Sequence, residues 1–391
     1  MVTYLLHRPT RYAALLLVYL LVGCSRGPRV SPEELAEPYR SARLFSTPEL
    51  AWQSKLPTPP TALLPLSSHV LLVTTHRGEL YRFNLTSGKR DGPIRQPFRK
   101  AITAQLVYAE GPYLYIASAW EKELRAYDLI QGKLHWKRKA NDITGPLALA
   151  KGLLLTASVT GEVAAYDTTQ GRPIWRRRIP GRIYQGVQIS DSLALVLNDS
   201  GTLYAFVLHP PRDQANLPEE DYPPVWHQKL PVSPSAVVAT GAGRLIIADT
   251  YGRLFGIDPT SGETIFQVQL KAPIYSQPLV TSTLVVVATA AGEVFAFQGS
   301  DGSQVWRFQG EGLIKCPLLT AADQESGVVL VPFARGQILA LDLATGKELW
   351  RYDMERPIEI ISLTTNGIVI ADRRNELSYL RAVDSTTHMP K

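Results

Sequence analysis

Short runs in which apolar and polar residues alternate, each closed by glycine, aspartate or proline, recur along most of the chain. The stretch from Gly145 to Arg178 shows the unit: "GPLALA", "GLLLTAS", "GEVAAYD" and "GRPIWRRR" are four such runs, each bounded by turn residues. A two-residue period marks half-buried strands, so the unit predicts a four-stranded, up-and-down antiparallel sheet. The residue that opens each third strand falls at Gly78, Lys122, Gly161, Gly201, Gly252, Gly292, Gly336 and Asn375, with gaps of 44, 39, 40, 51, 40, 44 and 39 residues. A strand-built period of this length predicts propeller blades, whereas helical solenoids need a 3.6-residue apolar rhythm. The fold class expected is all-β: an eight-bladed β-propeller of four-stranded antiparallel blades.

Two residue types punctuate the unit. Asp128, Asp167, Asp258 and Asp342 can accept hydrogen bonds from backbone amides just ahead and start a turn, and Gly132, Gly171, Gly262 and Gly346 supply the positive φ that closes it. Trp136, Trp175, Trp306 and Trp350 each follow a turn glycine by four residues. Phe266 takes that place in the fifth unit and Trp226 arrives after a longer insertion. A large flat side chain at one place per blade suits packing between twisted sheets, with small Ala126, Ala165, Ala205, Gly256, Ala296 and Ala340 leaving room for it. These rings are therefore assigned to structural docking and not to a ligand platform.

The chain ends complement each other. The eighth unit, from Pro357 through "NELSYLRAV", lacks a fourth strand, while "ELAWQSKLP" around Trp52 reads as a fourth strand with no blade before it. Joining them makes a whole blade and removes two exposed sheet edges. The propeller is thus expected over residues 45–385, followed by a short tail at 386–391, with the N-terminal strand closing the last blade.

Ahead of the ring lies a different composition. His7, Arg8 and Arg11 precede the apolar run "AALLLVYLLV", which is too short for a permanent membrane span and reads as a signal peptide over residues 1–23. Its "LVGC" ending resembles the lipobox of bacterial lipoproteins, which implies lipidation of Cys24 and durable anchoring to a membrane. Ser25 follows the cysteine, and by the same resemblance the outer membrane is the expected address. Residues 24–44, with Pro28, Pro32 and Pro38, read as a lipidated tether.

Removing the signal takes away two arginines and no acids, lowering the formal net charge from +6 to +4. So mild an excess is no nucleic-acid footprint. Once Cys24 is lipidated only Cys316 remains, so no internal disulfide is expected, and Cys316 within "LIKCPLL" reads as a small buried strand residue. No dense His, Cys and carboxylate cluster suggests a metal site, and no Gly-x-Ser-x-Gly elbow suggests a hydrolase. Neither a catalytic residue nor a cofactor is expected. The fourth unit gains "VLHPPRDQANLPEEDYPP" between Phe206 and Trp226, an extended excursion with five prolines and acidic Glu219, Glu220 and Asp221. It reads either as a tolerated loop or as a contact for a partner.

The phrase "ALDLATGKELW" at residues 340–350 is similar to the tryptophan-docking repeat of the quinoprotein-dehydrogenase-like eight-bladed propellers. With the lipobox, the single propeller and the Trp52 strand, the chain resembles the BamB family of outer-membrane protein assembly lipoproteins. That resemblance implies a non-catalytic scaffold on the periplasmic face of the outer membrane, bound to a BamA-like barrel insertase and to unfolded outer-membrane proteins. It also implies a docking loop after the third repeat, whose counterparts here are Arg182, Ile183, Tyr184 and Gln185. The family's Leu-x-Leu-Arg phrase is not reproduced there. Two other classes stay open: an adaptor of another envelope complex, and a dehydrogenase using pyrroloquinoline quinone. The latter, by resemblance, needs adjacent cysteines and a Glu, Asn and Asp calcium cage.

Overall fold

A computed structural model of the chain describes residues 30–33, 44–94, 107–110, 112–118, 121–143, 145–209, 223–321 and 327–383. Their strands form eight separate four-stranded antiparallel sheets, one for each repeat counted in the sequence. We number the blades 1 to 8 and letter their strands a to d in the order of each sheet. Blade 1 begins at Pro60, blade 2 at Val107, blade 3 at Ala148, blade 4 at Gln188, blade 5 at Val237, blade 6 at Leu279, blade 7 at Leu319 and blade 8 at Ile358. Seven blades take consecutive strands. In the eighth, strand d is Glu49–Lys55, paired antiparallel to Glu376–Arg381 with Trp52 opposite Tyr379. The expected N-terminal closure is therefore present.

Eight clusters of buried apolar residues fill the eight junctions between neighbouring blades. In strand b of blade 1, Val70 and Leu72 face blade 2 while Leu71 and Val73 face blade 8. Burial on both sides explains why strands such as "VLLVTT" are apolar throughout and not merely alternating. The a strands of six neighbouring blade pairs pack on one another, blade 8 on blade 1 included, so strand a lies nearest the axis.

Antiparallel order sorts the connections onto two faces. The a–b and c–d turns share one face, where Thr168 N–H donates to Gly152 O and Leu129 N–H to Pro112 O; we call it the turn face. The d–a linkers and b–c turns share the other, the linker face, where Ile179 N–H donates to Gly161 O and Leu270 N–H to Gly252 O. All eight repeat landmarks from Gly78 to Asn375 have positive φ, Lys122 and Asn375 included. At Gly161 a Cβ would lie 2.3 Å from Ile179 O, so close approach of the linker requires glycine there.

The aromatic docking follows the expected scheme and adds a partner the sequence did not reveal. Trp136 lies opposite Ala126, Trp175 opposite Ala165, Trp306 opposite Ala296 and Trp350 opposite Ala340 within their own sheets. Five indoles then reach the c–d turn of the next blade. The ring N–H donates to Leu85 O from Trp52 (2.8 Å), Thr168 O from Trp136 (2.9 Å), Leu208 O from Trp175 (2.8 Å), Pro259 O from Trp226 (3.1 Å) and Leu343 O from Trp306 (2.9 Å). The aspartates make the expected turns: Asp167 Oδ1 accepts from the N–H of Thr169 and Gln170 at 3.1 and 2.7 Å. The turn glycine has a second duty, since a Cβ on Gly171 would stand 2.6 Å from the Trp136 ring and one on Gly346 2.5 Å from Trp306.

One expectation needs correction. Cys316 is buried, but it lies in the linker ahead of strand Leu319–Ala321 and not within a strand. It is buried because it packs with Val328, Leu330 and Ile358 at the junction of blades 7 and 8. Within the stretch read as a tether, Val30 and Leu44 are both buried against the ring. Leu44 O accepts the Trp350 indole N–H at 2.7 Å, the role that a c–d turn carbonyl plays at other junctions.

Candidate docking face

The loop after the third repeat belongs to the linker face. Ile179 closes strand d of blade 3 onto its own b–c turn, and the chain then crosses to blade 4 through Gly181 and Gly186, whose φ values are +83° and +73°. Arg182 is held by its backbone: its N–H donates to Asp199 Oδ1 at 3.0 Å, and Asp199 N–H returns to Arg182 O at 2.8 Å. Asn198 Nδ2 adds a bond to Pro180 O at 2.7 Å. A Cβ on Gly145 would fall 2.2 Å from Gly186 N, so the neighbouring linkers touch backbone to backbone. The loop is thus a fixed platform between blades.

Of the four residues expected here, Arg182 and Tyr184 are exposed, Gln185 is half-buried and Ile183 is fully buried. The assignment of Ile183 to a contact surface is corrected accordingly. Its side chain packs with Trp175, Ile179 and Val187 between blades 3 and 4. The same anchor recurs as Ile143, Ile274 and Ile314, all buried, so an isoleucine secures the crossing in four of the linkers. Arg182 Nη1 donates to Tyr184 Oη at 3.4 Å, which joins the two exposed side chains into one polar and aromatic edge.

Two further aromatic residues on this face were not singled out from the sequence. Tyr275 follows Ile274 as Tyr184 follows Ile183, and the phrases "RIYQG" and "PIYSQ" carry that signal. Tyr251, on the b–c turn of blade 5, is 63% exposed, with the Arg253 guanidinium carbon 4.6 Å from its ring centre. Tyrosine and arginine are favoured at protein contact surfaces because they combine large area with directional hydrogen bonds.

Where blade 8 meets blade 1, the linker face opens into a cleft of about 400 Å³ bordered by Pro59, His76, Glu359, Asp372 and Arg373 among others. Burial pushes the Glu359 carboxyl up, but hydrogen bonds and charge from Arg373 and Lys315 outweigh it and hold the group below the usual carboxylate range. Asp372 Oδ1 accepts the N–H of Arg374 at 2.7 Å and of Glu376 at 3.0 Å. Its charge is committed to shaping the turn.

The residues do not fit a pyrroloquinoline quinone site of the kind the resemblance implied. The two cysteines, Cys24 and Cys316, are not adjacent, and among the described residues no group of three or more His, Cys, Asp or Glu side chains converges as a metal cage would. Residues 1–23, Cys24 and the acidic Glu219, Glu220 and Asp221 lie outside the described residues.

Comparison with known proteins gives a consistent result. The family model for "outer membrane protein assembly factor BamB" matches residues 120–209 and 221–375, which takes in the greater part of blades 2 to 8. The BamB protein of Nitrosomonas eutropha is 31% identical over 96 residues, 24% of this chain and 23% of that protein. A quinoprotein ethanol dehydrogenase of Pseudomonas putida is 32% identical over 79 residues, 20% of this chain and 13% of that enzyme. The aligned stretches thus span about a quarter or less of these curated relatives. The crystal structure of BamB from Moraxella catarrhalis superposes with a TM-score of 0.63 at 15% identity, covering 85% of this chain and 99% of that one, a likeness of fold.

Proposed function

The chain belongs to the family of the outer membrane protein assembly factor BamB, and from that membership we propose that it is a non-catalytic scaffold subunit of the machinery that assembles β-barrel proteins in the outer membrane. In this reading Cys24 carries the lipid, the ring sits on the periplasmic side, and its partners are a BamA-like barrel insertase and unfolded outer-membrane proteins. The observation that carries the proposal is the family match across blades 2 to 8. Arg182, Tyr184 and Gln185 are the side chains we assign to the insertase contact, on a loop whose backbone is fixed before any partner arrives. A preformed contact loses little conformational entropy on binding.

Affinity purification from detergent-solubilised envelopes tests this directly. Recovery of a barrel insertase supports it; recovery of a different envelope complex supports the adaptor reading instead. The dehydrogenase reading is kept because a quinoprotein relative matches at similar identity over a similarly short stretch. Incubation with pyrroloquinoline quinone and calcium, followed by a dye-linked alcohol oxidation assay, should give no turnover above a heat-denatured control.

A further inference from the structure

Blade 1 breaks the docking cycle. Its outer strand, Arg90–Ile94, contains no aromatic residue. The carbonyl on blade 2 that an indole would meet is that of Leu129, which follows Asp128 as Thr168 follows Asp167. Val30 occupies that place: its N–H donates to Leu129 O at 2.8 Å, and its buried side chain joins Val70, Leu72, Leu114, Ile116 and Tyr127. The N-terminal segment is thereby fastened to the turn face at the junction of blades 1 and 2.

Val30 is the sixth residue after Cys24. Six residues of fully extended chain reach about 20 Å, so a lipid on Cys24 would hold this junction within about that distance of the bilayer. The surroundings suit such a surface. Lys89 on blade 1, Lys133 on blade 2, and Lys151 and Arg172 on blade 3 are exposed on or beside the a–b and c–d turns. Asp128 and Asp167 direct a carboxylate oxygen at the amides of their own turns. Beside Leu129, Ile130 stands 41% exposed. The corresponding turns of blades 5 and 6 carry exposed Glu263 and Asp301 instead. Lysine and arginine side chains at a membrane surface are drawn to anionic headgroups, and a protruding aliphatic residue can enter the interface.

We infer that the turn face of blades 1 to 3 is the surface this protein lays on an anionic phospholipid membrane. Val30 fixes that orientation, and the linker face with Arg182 and Tyr184 points away from the bilayer. The inference rests on the proposed lipidation of Cys24. It goes beyond the scaffold role by assigning which side of the ring is left free for proteins.

The test uses the acylated full-length protein reconstituted in phosphatidylcholine vesicles containing phosphatidylglycerol and a headgroup-linked nitroxide. A fluorophore is placed at Gln131→Cys on the turn face or at Tyr251→Cys on the linker face. With Cys24 acylated, and the Cys316 thiol buried and its pKa raised by that burial, the introduced cysteine takes the label. Quenching several-fold stronger at position 131 is expected. Equal or reversed quenching on acylated protein overturns the inference alone, whereas mass spectrometry showing no acyl chain on Cys24 overturns the lipid reading together with it. Lys133→Glu combined with Arg172→Glu should reduce the contrast, and an undiminished contrast rejects the anionic partner. Val30→Asp, its fold checked by circular dichroism, should abolish the contrast while leaving the protein on the vesicle; an unchanged contrast rejects Val30 as the fixing contact.

Discussion

Blade 3 offers two glycines with the same backbone demand and different surroundings. Gly152 has φ +77° and a Cβ there would meet nothing within 4 Å; Gly171 has φ +66° and a Cβ there would lie 2.6 Å from Cδ2 and Cε3 of Trp136. Gly152→Ala therefore measures the cost of a left-handed alanine alone, about 1–2 kcal/mol. Gly171→Ala incurs the same cost and in addition must push the indole out of its dock or shift the turn. Overpacking of this kind costs about 1–3 kcal/mol, and the upper limit is the loss of the docked ring, about 3–5 kcal/mol for truncation of a buried tryptophan. Urea unfolding of the mature chain should therefore show the larger fall in midpoint for Gly171→Ala, at unchanged slope. The excess should vanish when Trp136→Ala is already present, because the new methyl then faces open space. Equal midpoints for the two glycine variants, or an excess that survives in the Trp136→Ala background, would refute the claim that the c–d turn glycines exist to receive the neighbouring blade's ring.

Other substitutions separate packing from contact and charge. Ile183→Ala should destabilise the ring by about 2–5 kcal/mol as a core truncation, while Arg182→Ala and Tyr184→Ala should stay within about 0.5 kcal/mol in the same assay and still lower insertase recovery. Trp306→Phe replaces the indole by a smaller ring and leaves Leu343 O without its donor, so a loss of at least about 1–3 kcal/mol is expected from the same unfolding curves. Acid sensitivity has a named contributor in Glu123. Burial pushes its carboxyl up, but hydrogen bonds from Lys137 and Arg125 outweigh that and hold it below the ordinary 4.5. A depressed folded value means stability present above about pH 4.5 and lost as pH falls through the folded pKa. Glu123→Gln should flatten part of that acid slope, and a variant retaining the full slope would exclude the ion-pair explanation.

Blade number and strand order were legible in the sequence because they rest on a local signal that recurs eight times, and the closing strand because one unit lacks a strand that the N-terminus supplies. Landmarks such as Lys122 and Asn375 fell in step although neither is glycine, and both adopt the left-handed conformation the series demands. What a single repeat cannot display is its neighbour. The carbonyls of Leu85, Thr168 and Leu343 belong to the next blade, so the indole acceptors and the second duty of the turn glycines appear only in three dimensions. Ile183 is assigned to the contact loop only through the family resemblance, which carries position and not burial. Set beside Ile143, Ile274 and Ile314, its spacing would have marked it as a linker anchor. Val30 had no sequence signal at all, since a backbone N–H replacing an indole N–H leaves no trace in residue type.

The closing strand remains the point on which the eight-bladed ring and its cooperativity depend. Gln53 and Ser378 are direct partners in that antiparallel pair, with Gln53 Nε2 donating to Ser378 Oγ at 3.2 Å. Facing residues in such a pair have Cα atoms about 4.5–5.5 Å apart, within the range a disulfide spans. Mild oxidation of the Gln53→Cys, Ser378→Cys variant should give a bond within one chain when folded and none when unfolded in urea. Failure to form it in the folded protein, or crosslinks only between separate chains, would contradict a ring latched by its N-terminal strand.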